Sequence, residues 1–449
     1  MSIKVVHFVN SLGIGGTEKA AMVWGKAIVR RGGRCWFITL SDGVRKTNLE
    51  NAGIPVYSLS GGSADKTKYI ANIIGALNPD VIHAHVPGYP HEGDMLGESL
   101  FCINKKIPVI QTNVFGLLRN PREDEWTDMR AFVSFTSCVQ AAAREKLSLN
   151  DRFFRNKTVI GYPLDSKVPF SSSCRDIQSK TFNETTKNKI VNYRAELGVL
   201  PNHVLFGKFA RPDSVKWSYD LIQAFDGVHR RYPDIRLLLR EVPDDIRRVL
   251  VRKSRRNEIS ARSIILLRAT SDEDDLLLSQ LSCDVILHTS KIGESFGYGL
   301  AEPMSYGKPV ITNSVPWGDQ AQLELTNFGR CGIISTSQNN MINAIACLAQ
   351  NPQLRLEIGQ RGKDHILRLT NLDASMDRLM RVYESVVLRK DNPFLEEDLQ
   401  KAKVIFQNLN HCQWGDSSSE RIANYLRYYR FWSYRYIQVF FGCLRKAVE

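Results

Sequence analysis

Strand and helix patterns alternate along this chain, and the alternation occurs in two separate series. Short runs of β-branched and aromatic residues predict strands, and the stretches between them carry the spacing of helices. The predicted strands cover residues 4–9, 34–40, 56–59 and 80–85 in the first series, and 204–209, 235–240, 264–267 and 285–288 in the second. Strands that alternate with helices predict parallel, doubly wound sheets. The predicted fold class is therefore α/β, with one such sheet in each half.

A polar segment separates the two series. Residues 171–192 contain a Ser-Ser-Ser run and several lysines, which is typical of a connection between domains. The predicted organisation has four parts. They are an N-terminal domain at 1–168, a linker at 169–195, a C-terminal domain at 196–375, and a C-terminal helical extension at 376–449.

The charge balance narrows the classes of partner. The 449 residues include 60 lysines and arginines against 47 aspartates and glutamates, a net charge of +13. An excess of positive charge favours a polyanionic partner: a nucleic acid, an anionic membrane surface or a phosphorylated ligand. No recognised nucleic-acid-binding module accompanies the charge, so no nucleic-acid partner is expected.

Neither a membrane-spanning run nor a closely spaced cysteine pair occurs in the sequence. No apolar run approaches the ~20 residues that cross a bilayer, and the first residues have a strand pattern, so we expect a cytoplasmic chain. The nine cysteines include no Cys-x-x-Cys pair. Such spacing favours reduced, packed cysteines over a disulfide framework or a zinc site.

The first series carries two candidate ligand-binding features. Gly15 and Gly16 lie between the first strand and the first helix. Two interpretations are open: the loop presents backbone N–H groups to an anionic ligand, or it is a tight turn with a purely structural role. His85 ends a predicted strand on the same sheet edge, and it either contacts ligand or packs in the interior. His83, two residues earlier, is interpreted as an interior histidine.

Residues 291–312 form the most informative segment: a strand end, a glycine loop, a helix and another strand. Gly297 and Gly299 would open backbone N–H groups toward a phosphate at the helix start, and Glu302 would accept hydrogen bonds from sugar hydroxyls. Glu294 precedes the loop. Two carboxylates beside a phosphate site need hydroxyls or cations as partners, so the segment favours a functional role over a structural one.

Two motifs together resemble a known family. Glu294-x7-Glu302, with its glycines and the Gly-Lys-Pro-Val at 307–310, is similar to the signature of retaining GT-B glycosyltransferases of family 4, also called glycosyltransferase group 1. Arg211 and Lys216 match that family's second signature, and residues 15–18 and 80–85 resemble its first-domain loops. The resemblance implies a GT-B architecture with two facing Rossmann-like domains and a cleft between them.

The resemblance also implies roles for individual residues. Arg211 and Lys216 would bind the donor diphosphate, Glu294 the donor-sugar hydroxyls, and Glu302 the nucleotide ribose. The predicted catalytic set is Arg211, Lys216, Glu294 and His85, and the predicted donor-binding set is Gly15, Gly16, Ser295, Phe296, Gly297, Gly299 and Glu302. No metal is expected, because the acids at 272–275 are interpreted as a helix cap that pairs Ser271 with Asp274.

Three positions depart from the family pattern. The family usually carries a Thr-x-His after the strand at 109–110, whereas this chain has Gln111, Thr112 and Asn113. Trp217 stands where glycine usually follows the lysine. Residues 161–165 replace a common Pro-Asn-Gly turn. Because of these departures, the resemblance does not identify the donor sugar.

The tail from residue 416 onward is aromatic and basic, and two interpretations stay open. It forms either a final helix on the N-terminal domain or an interfacial anchor whose arginines meet anionic lipid headgroups. The basic cluster at 247–256 would add to membrane attraction, although a charged helix face is usually only solvated.

The predicted function is metal-independent transfer of a sugar from a nucleotide sugar, such as a UDP- or GDP-sugar, with retention of anomeric configuration. The acceptor would be a saccharide or lipid-linked molecule in cell-surface polysaccharide or glycolipid biosynthesis, and no cofactor is required. The chain would be cytoplasmic, or peripheral on the cytoplasmic face of a membrane. The alternatives are a GT-B-fold nucleotide-sugar epimerase and a catalytically degenerate nucleotide-sugar-binding partner protein.

Overall fold

The structure is a computed structural model with two compact units. It describes residues 2–59, 65–86, 94–103, 107–116, 118, 121–165, 184–256, 263–270, 272–316, 318–413 and 421. The first unit comprises residues 1–166 together with 368–406, and the second comprises 167–367 together with 407–449.

The first unit begins with alternating strands and helices. In chain order they are β1 (Lys4–Ser11), α1 (Gly16–Arg30), β2 (Arg34–Ser41), α2 (Arg45–Glu50), β3 (Val56–Ser58), α3 (Lys66–Leu77), β4 (Val81–Val86), α4 (Asp94–Phe101), β5 (Val109–Asn113), α5 (Pro121–Trp126), β6 (Met129–Phe132), α6 (Phe135–Arg144), α7 (Asp151–Phe154) and β7 (Lys157–Val159). The seven strands form one sheet in the order β3-β2-β1-β4-β5-β6-β7, and all neighbouring strands are parallel.

The second unit repeats the pattern. Its elements are α8 (Glu184–Glu196), β8 (Val204–Phe209), α9 (Tyr219–His229), β9 (Ile235–Arg240), α10 (Asp244–Arg255), β10 (Ile264–Leu267), α11 (Glu273–Ser282), β11 (Val285–His288), β12 (Gly293–Glu294), α12 (Tyr298–Ser305), β13 (Val310–Asn313), β14 (Asp319–Gln320), α13 (Ala321–Leu325), β15 (Ile333–Ser335), α14 (Gln338–Gln350) and α15 (Pro352–Leu369). Six strands form a parallel sheet in the order β10-β9-β8-β11-β13-β15, and β12 pairs with β14. The prediction of two doubly wound α/β domains is confirmed.

Two helices follow the second series, α16 (Leu372–Val387) and α17 (Leu395–Cys412). α16 packs within the first unit, where Trp24 Nε1 donates to Ser375 Oγ at 3.1 Å. The predicted helical extension is therefore present, and its expected start at residue 376 falls inside α16. The aromatic and basic tail from residue 416 onward lies outside the described residues, apart from Arg421.

Over the ranges that the structure describes, no helix is both long enough and apolar enough to cross a bilayer. In α10, Ile246 and Leu250 are buried, while Arg248 and Arg252 are exposed to solvent.

Three histidines meet in the interior of the first unit because β1 and β4 are neighbours. The register places His7 opposite His83, and His7 Nδ1 lies 2.8 Å from His85 Nε2. His83 uses both ring nitrogens, with Tyr383 Oη at 2.8 Å and Thr112 Oγ1 at 2.6 Å. Since one nitrogen of a neutral imidazole donates and the other accepts, two hydroxyl partners satisfy both ring nitrogens of His83.

Burial lowers the pKa of all three histidines, to about 3 for His7 and well below the usual value for His83 and His85, whose neighbouring imidazoles lower it further. The unfolded chain binds protons below its histidine pKa of about 6.5, and the folded chain does not. We therefore predict that the free energy of unfolding of this unit is highest above pH 6.5 and falls as pH decreases from there. The expected slope approaches about 1.4 kcal/mol per histidine per pH unit.

Urea unfolding between pH 7.5 and 5.5 measures this slope. In His7→Phe, which keeps an aromatic ring against Phe37, about one third of the histidine contribution should disappear. An identical slope in wild type and variant would contradict a buried neutral cluster.

Candidate functional site

The loop between β8 and α9 is held by its own side chains. Trp217 is 1% exposed, and its Nε1 donates to the carbonyl oxygen of Arg211 at 2.8 Å. The Lys216 backbone N–H donates to the Asp213 carbonyl at 2.9 Å. The large aromatic ring thus anchors the loop in the core, and Lys216 next to it has a fixed backbone position.

Lys216, Glu294 and His288 form one polar cluster. Lys216 Nζ donates to Glu294 Oε1 and to the Gly293 carbonyl, both at 2.9 Å. His288 Nε2 lies 3.0 Å from the same carboxylate oxygen. Lys216 follows β8, and Glu294 follows β11, which ends at His288. These are neighbouring parallel strands, so their carboxyl ends meet at one sheet edge, where ligands of doubly wound sheets bind.

The cluster sets the protonation state of Glu294. Burial alone would raise the pKa of this carboxyl group, but the Lys216 charge and the hydrogen bonds from His288 and Lys216 lower it to about 2. Glu294 is therefore a carboxylate at neutral pH. It can accept hydrogen bonds, for example from hydroxyl groups, but it has no proton to donate.

Helix α12 begins directly beside this carboxylate. Gly297 caps its start with a left-handed backbone, φ +100°, which glycine adopts most readily. A Cβ on Gly297 would lie 3.3 Å from Glu294 Cβ, and one on Gly299 would lie 3.4 Å from His288 Cε1. The first turn of α12, whose leading amides have no acceptor within the helix, thus lies against the cluster.

The remaining predicted residues of this unit occupy different environments. Ser295 Oγ donates to Asp319 Oδ2, and buried Phe296 contacts the Tyr298 ring at a centroid distance of 5.0 Å. Glu302 lies one turn into α12 and is half-buried. Arg211 is exposed, and the described part of the chain provides no hydrogen bond or ion pair for its guanidinium group.

Sequence reasoning missed two residues of the cluster, His288 and Gln322. The buried Gln322 side chain accepts from the Glu294 backbone N–H at 3.0 Å and donates to the Asn313 carbonyl at 3.1 Å. Asn313 in turn exchanges two hydrogen bonds with the Ser290 backbone. His288 could have been predicted, because it is a polar residue at the end of a buried strand. The sequence around Gln322 contains no pattern that would have indicated its role.

Gly15 caps α1 in the first unit, whereas Gly16 is already the first residue of the helix and not part of the preceding loop. A Cβ on Gly15 would lie 2.2 Å from Glu18 Oε2, and Ser11 Oγ donates to Glu18 Oε1 at 3.0 Å. The Glu18 carboxylate is the end of a flexible side chain and could move away, so this contact alone does not require glycine at position 15. His85 lies in the interior, 2% exposed, in the histidine cluster described above.

Asn113, which stands in place of the family histidine, is buried at the end of β5. The register pairs it with Val86 and pairs Thr112 with His85. Its strand neighbour Gln111 accepts a hydrogen bond from Arg130 Nε at 2.8 Å. The replaced segment is thus an integral part of the sheet.

The acidic residues before α11 act as a cap, but through a different residue from the one predicted. Asp272 is the N-cap, and its carboxylate accepts from the backbone N–H groups of Asp274 and Asp275. Helix α11 begins at Glu273, which places the cap at 272; Ser271 lies outside the described residues. Asp275 also pairs with Arg240 Nη1 at 2.7 Å, which helps to lower its pKa against the effect of burial.

Removing Lys216 should destabilise the second unit, because the partly buried Glu294 carboxylate depends on this ion pair. We predict that Lys216→Met lowers the free energy of unfolding of the second unit by about 2–4 kcal/mol, because Glu294 loses its counter-ion. The matched control is Lys187→Met, which breaks an exposed pair with Glu184 and should cost less than about 1 kcal/mol. Chemical denaturation at pH 7 measures both, and equal losses would contradict the assigned role.

The strand pair β12–β14 depends on Gly293. Its φ is +71°, and a Cβ there would lie 1.6 Å from the Asp319 carbonyl oxygen. We predict that Gly293→Ala destabilises the second unit by more than about 2 kcal/mol, whereas Gly299→Ala, with ordinary contacts, costs less than about 1 kcal/mol. Thermal unfolding of the two variants distinguishes them, and a reversed order would contradict the geometry.

The second unit matches a family profile. Residues 193–365 match the family described as "Glycosyl transferases group 1". The matched segment contains Arg211, Lys216, Glu294 and Glu302, and it covers most of the unit that carries the polar cluster.

One curated relative and two solved structures are similar to the chain. Trehalose synthase from Pyrococcus horikoshii is 24% identical over 274 residues, or 60% of this chain, and the match spans 62% of that enzyme's length. Anabaena Alr3699/HepE, solved in complex with UDP and glucose, has a TM-score of 0.65 at 19% identity; 85% of this chain and all of that chain are covered. A glycosyltransferase from Rickettsia africae ESF-5 has a TM-score of 0.67 at 15% identity and covers 86% of this chain and 99% of its own.

The solved structures and the family profile support different conclusions. At 15–19% identity the solved structures show the fold, two parallel-sheet α/β domains of the GT-B type. The family profile covers the second unit, where the ion pair of Lys216 and Glu294 lies. The similarity to glycosyltransferase group 1 thus concerns residues 193–365, and the solved structures add the GT-B fold.

Proposed function

We propose that this protein is a glycosyltransferase that moves a sugar from a nucleotide-sugar donor to an acceptor. The observation that carries the proposal is the ion pair between Lys216 and Glu294, with His288 on the same carboxylate oxygen, at the start of α12. A fixed cation, a permanent carboxylate and a helix N-terminus at one sheet edge suit a ligand with a diphosphate and sugar hydroxyls.

Each of these groups has one role in the proposed transfer reaction. Cleavage of the anomeric C–O bond leaves an oxocarbenium-like sugar and a diphosphate that gains negative charge. Lys216 and the exposed Arg211 would stabilise that charge, and the first amides of α12 would add hydrogen bonds. Glu294 would orient the donor-sugar hydroxyls, and Glu302 the ribose. The acceptor oxygen forms the new bond to the anomeric carbon, and its proton passes to the departing diphosphate.

The donor-side details belong to the same proposal. Alr3699/HepE was solved with UDP and with UDP-glucose, which makes UDP-sugars the first donors to test, with GDP-sugars as the alternative. We propose retention of anomeric configuration, no metal and no cofactor, following the resemblance of Glu294-x7-Glu302 to the retaining family. Gly15, Gly16 and His85 remain proposed contacts from the first unit.

We also propose an acceptor class and a cellular setting. A saccharide or lipid-linked acceptor in cell-surface polysaccharide or glycolipid biosynthesis is consistent with the net charge of +13, which favours work at an anionic cytoplasmic membrane face. No nucleic-acid partner is proposed.

One observation favours a second candidate, a degenerate protein that binds nucleotide sugar without transfer. Asn113 occupies the position of the family histidine, and an amide cannot exchange a proton at neutral pH. Binding of a donor without any transfer or hydrolysis would favour this candidate, and interconversion of the donor without an acceptor would favour an epimerase.

A panel of nucleotides and nucleotide sugars should identify the donor class. We predict that one nucleoside diphosphate and its sugars, at 100 times their dissociation constant, stabilise the chain by about 2.7 kcal/mol in thermal unfolding. The variant Glu302→Gln should lose most of this stabilisation and of sugar transfer, while Glu357→Gln on the exposed side of α15 should keep both. No stabilisation by any member of the panel would contradict the proposed function.

A further inference from the structure

We propose that Lys208 is a positioning residue for the donor site, where it fixes the turn that presents Glu294. That this turn belongs to a donor site rests on the proposed function. That Lys208 fixes the turn rests on contacts within the second unit. Lys208 lies in strand β8, not in the loop that carries Arg211 and Lys216, and no motif of the sequence singled it out.

Lys208 is a fully buried lysine with specific contacts. Its side chain is 0% exposed, and Nζ donates to the carbonyl oxygen of Thr289 at 2.7 Å. The same ammonium group lies 4.8 Å from the centroid of the Trp217 ring, within the range of a cation–π interaction. A lysine in the interior needs such partners, because burial disfavours its charge.

Lys208 and Lys216 hold opposite ends of one turn. The turn runs from Thr289, which follows β11, to Gly293 in β12. Lys208 binds the carbonyl of Thr289, and Lys216 binds the carbonyl of Gly293 at 2.9 Å. Ser290 Oγ also donates to the Gly293 carbonyl, at 3.0 Å. With both ends fixed, the carboxylate of Glu294 has a defined position beside Lys216.

Trp217 connects the two lysines. It follows Lys216 in sequence, contacts Lys208 through its ring, and donates from Nε1 to the Arg211 carbonyl. The tryptophan that departs from the family glycine therefore has a role here: it provides the aromatic face for a buried ammonium group. Arg211, Lys216 and Glu294 would consequently be positioned by one packed unit.

The charge of Lys208 is also relevant to an anionic ligand. Burial lowers its pKa to about 7, an effect that Glu294 opposes and Lys216 increases. A diphosphate that binds beside Lys216 would add negative charge and favour the protonated form. The other charged and titratable groups at the turn are Lys216, His288, Lys291, Glu294 and Asp319, so a comparison of variants must isolate Lys208.

Hydrogen exchange on the unliganded chain tests the positioning directly. In wild type the amides of residues 289–296 should exchange slowly for a loop segment. In Lys208→Met, which keeps the side-chain length, they should exchange at least about tenfold faster, because the Thr289 carbonyl loses its donor. Lys208→Gln, which keeps an N–H donor without the charge, should show a smaller increase.

The matched control is Lys308→Met. Lys308 also donates from Nζ to a backbone carbonyl, that of Leu281 at 2.6 Å, but it does not contact the turn. Its exchange at 289–296 should remain as in wild type. Fast exchange of these amides in wild type would overturn the proposal even if the variants unfold. Unchanged exchange in a folded Lys208→Met would overturn it as well.

A second readout separates positioning from mere stability. Affinity for UDP is measured from pH 6 to 8.5 in wild type and in Lys208→Met, so that titration of UDP, His288 and other shared groups cancels in the comparison. Wild-type affinity should fall relative to the variant above pH 7, by up to about tenfold for each unit by which UDP raises the Lys208 pKa. Parallel curves would overturn the link to the ligand, whereas no UDP binding by wild type contradicts the UDP-donor proposal alone and leaves the exchange result to decide the positioning.

Discussion

A carboxylate that is largely shielded from water needs compensation, and Glu294, whose side chain is 16% exposed, receives it from Lys216 and His288. Both groups contact the same carboxylate oxygen, at 2.9 and 3.0 Å, and they keep the Glu294 pKa near 2 despite burial. The surrounding structure follows from this requirement. The tryptophan-anchored loop positions Lys216, the end of β11 positions His288, and the glycine at 297 lets α12 begin against the carboxylate.

The sequence was sufficient for the elements that depend on local patterns. Strands 204–209, 235–240, 264–267 and 285–288 coincide with the structure, because short β-branched runs between helical spacings determine a buried parallel strand. The glycine loop at 293–299 and the two spaced glutamates were visible for the same reason. They are close in sequence, so their spacing alone predicted that they share one loop and one helix.

The site residues that the sequence did not predict make contacts with residues far away in sequence. Lys208 binds a carbonyl 81 positions away, and Gln322 supports the backbone of Glu294 across 28 positions. His85 illustrates the same limit in the first unit. Its position at a strand end was predicted, but its enclosure with His7 depends on the pairing of β1 with β4, which no local pattern specifies.

The central claim is that the Glu294 cluster and the start of α12 bind the nucleotide donor. The most direct measurement is the hydrogen-exchange footprint of the nucleotide that binds most tightly, compared with the free chain. The account predicts protection of the amides at 293–302 and of the loop at 211–217, with little change in the outer strands β9 and β10. Tight binding with protection elsewhere, and none in these two segments, would contradict it.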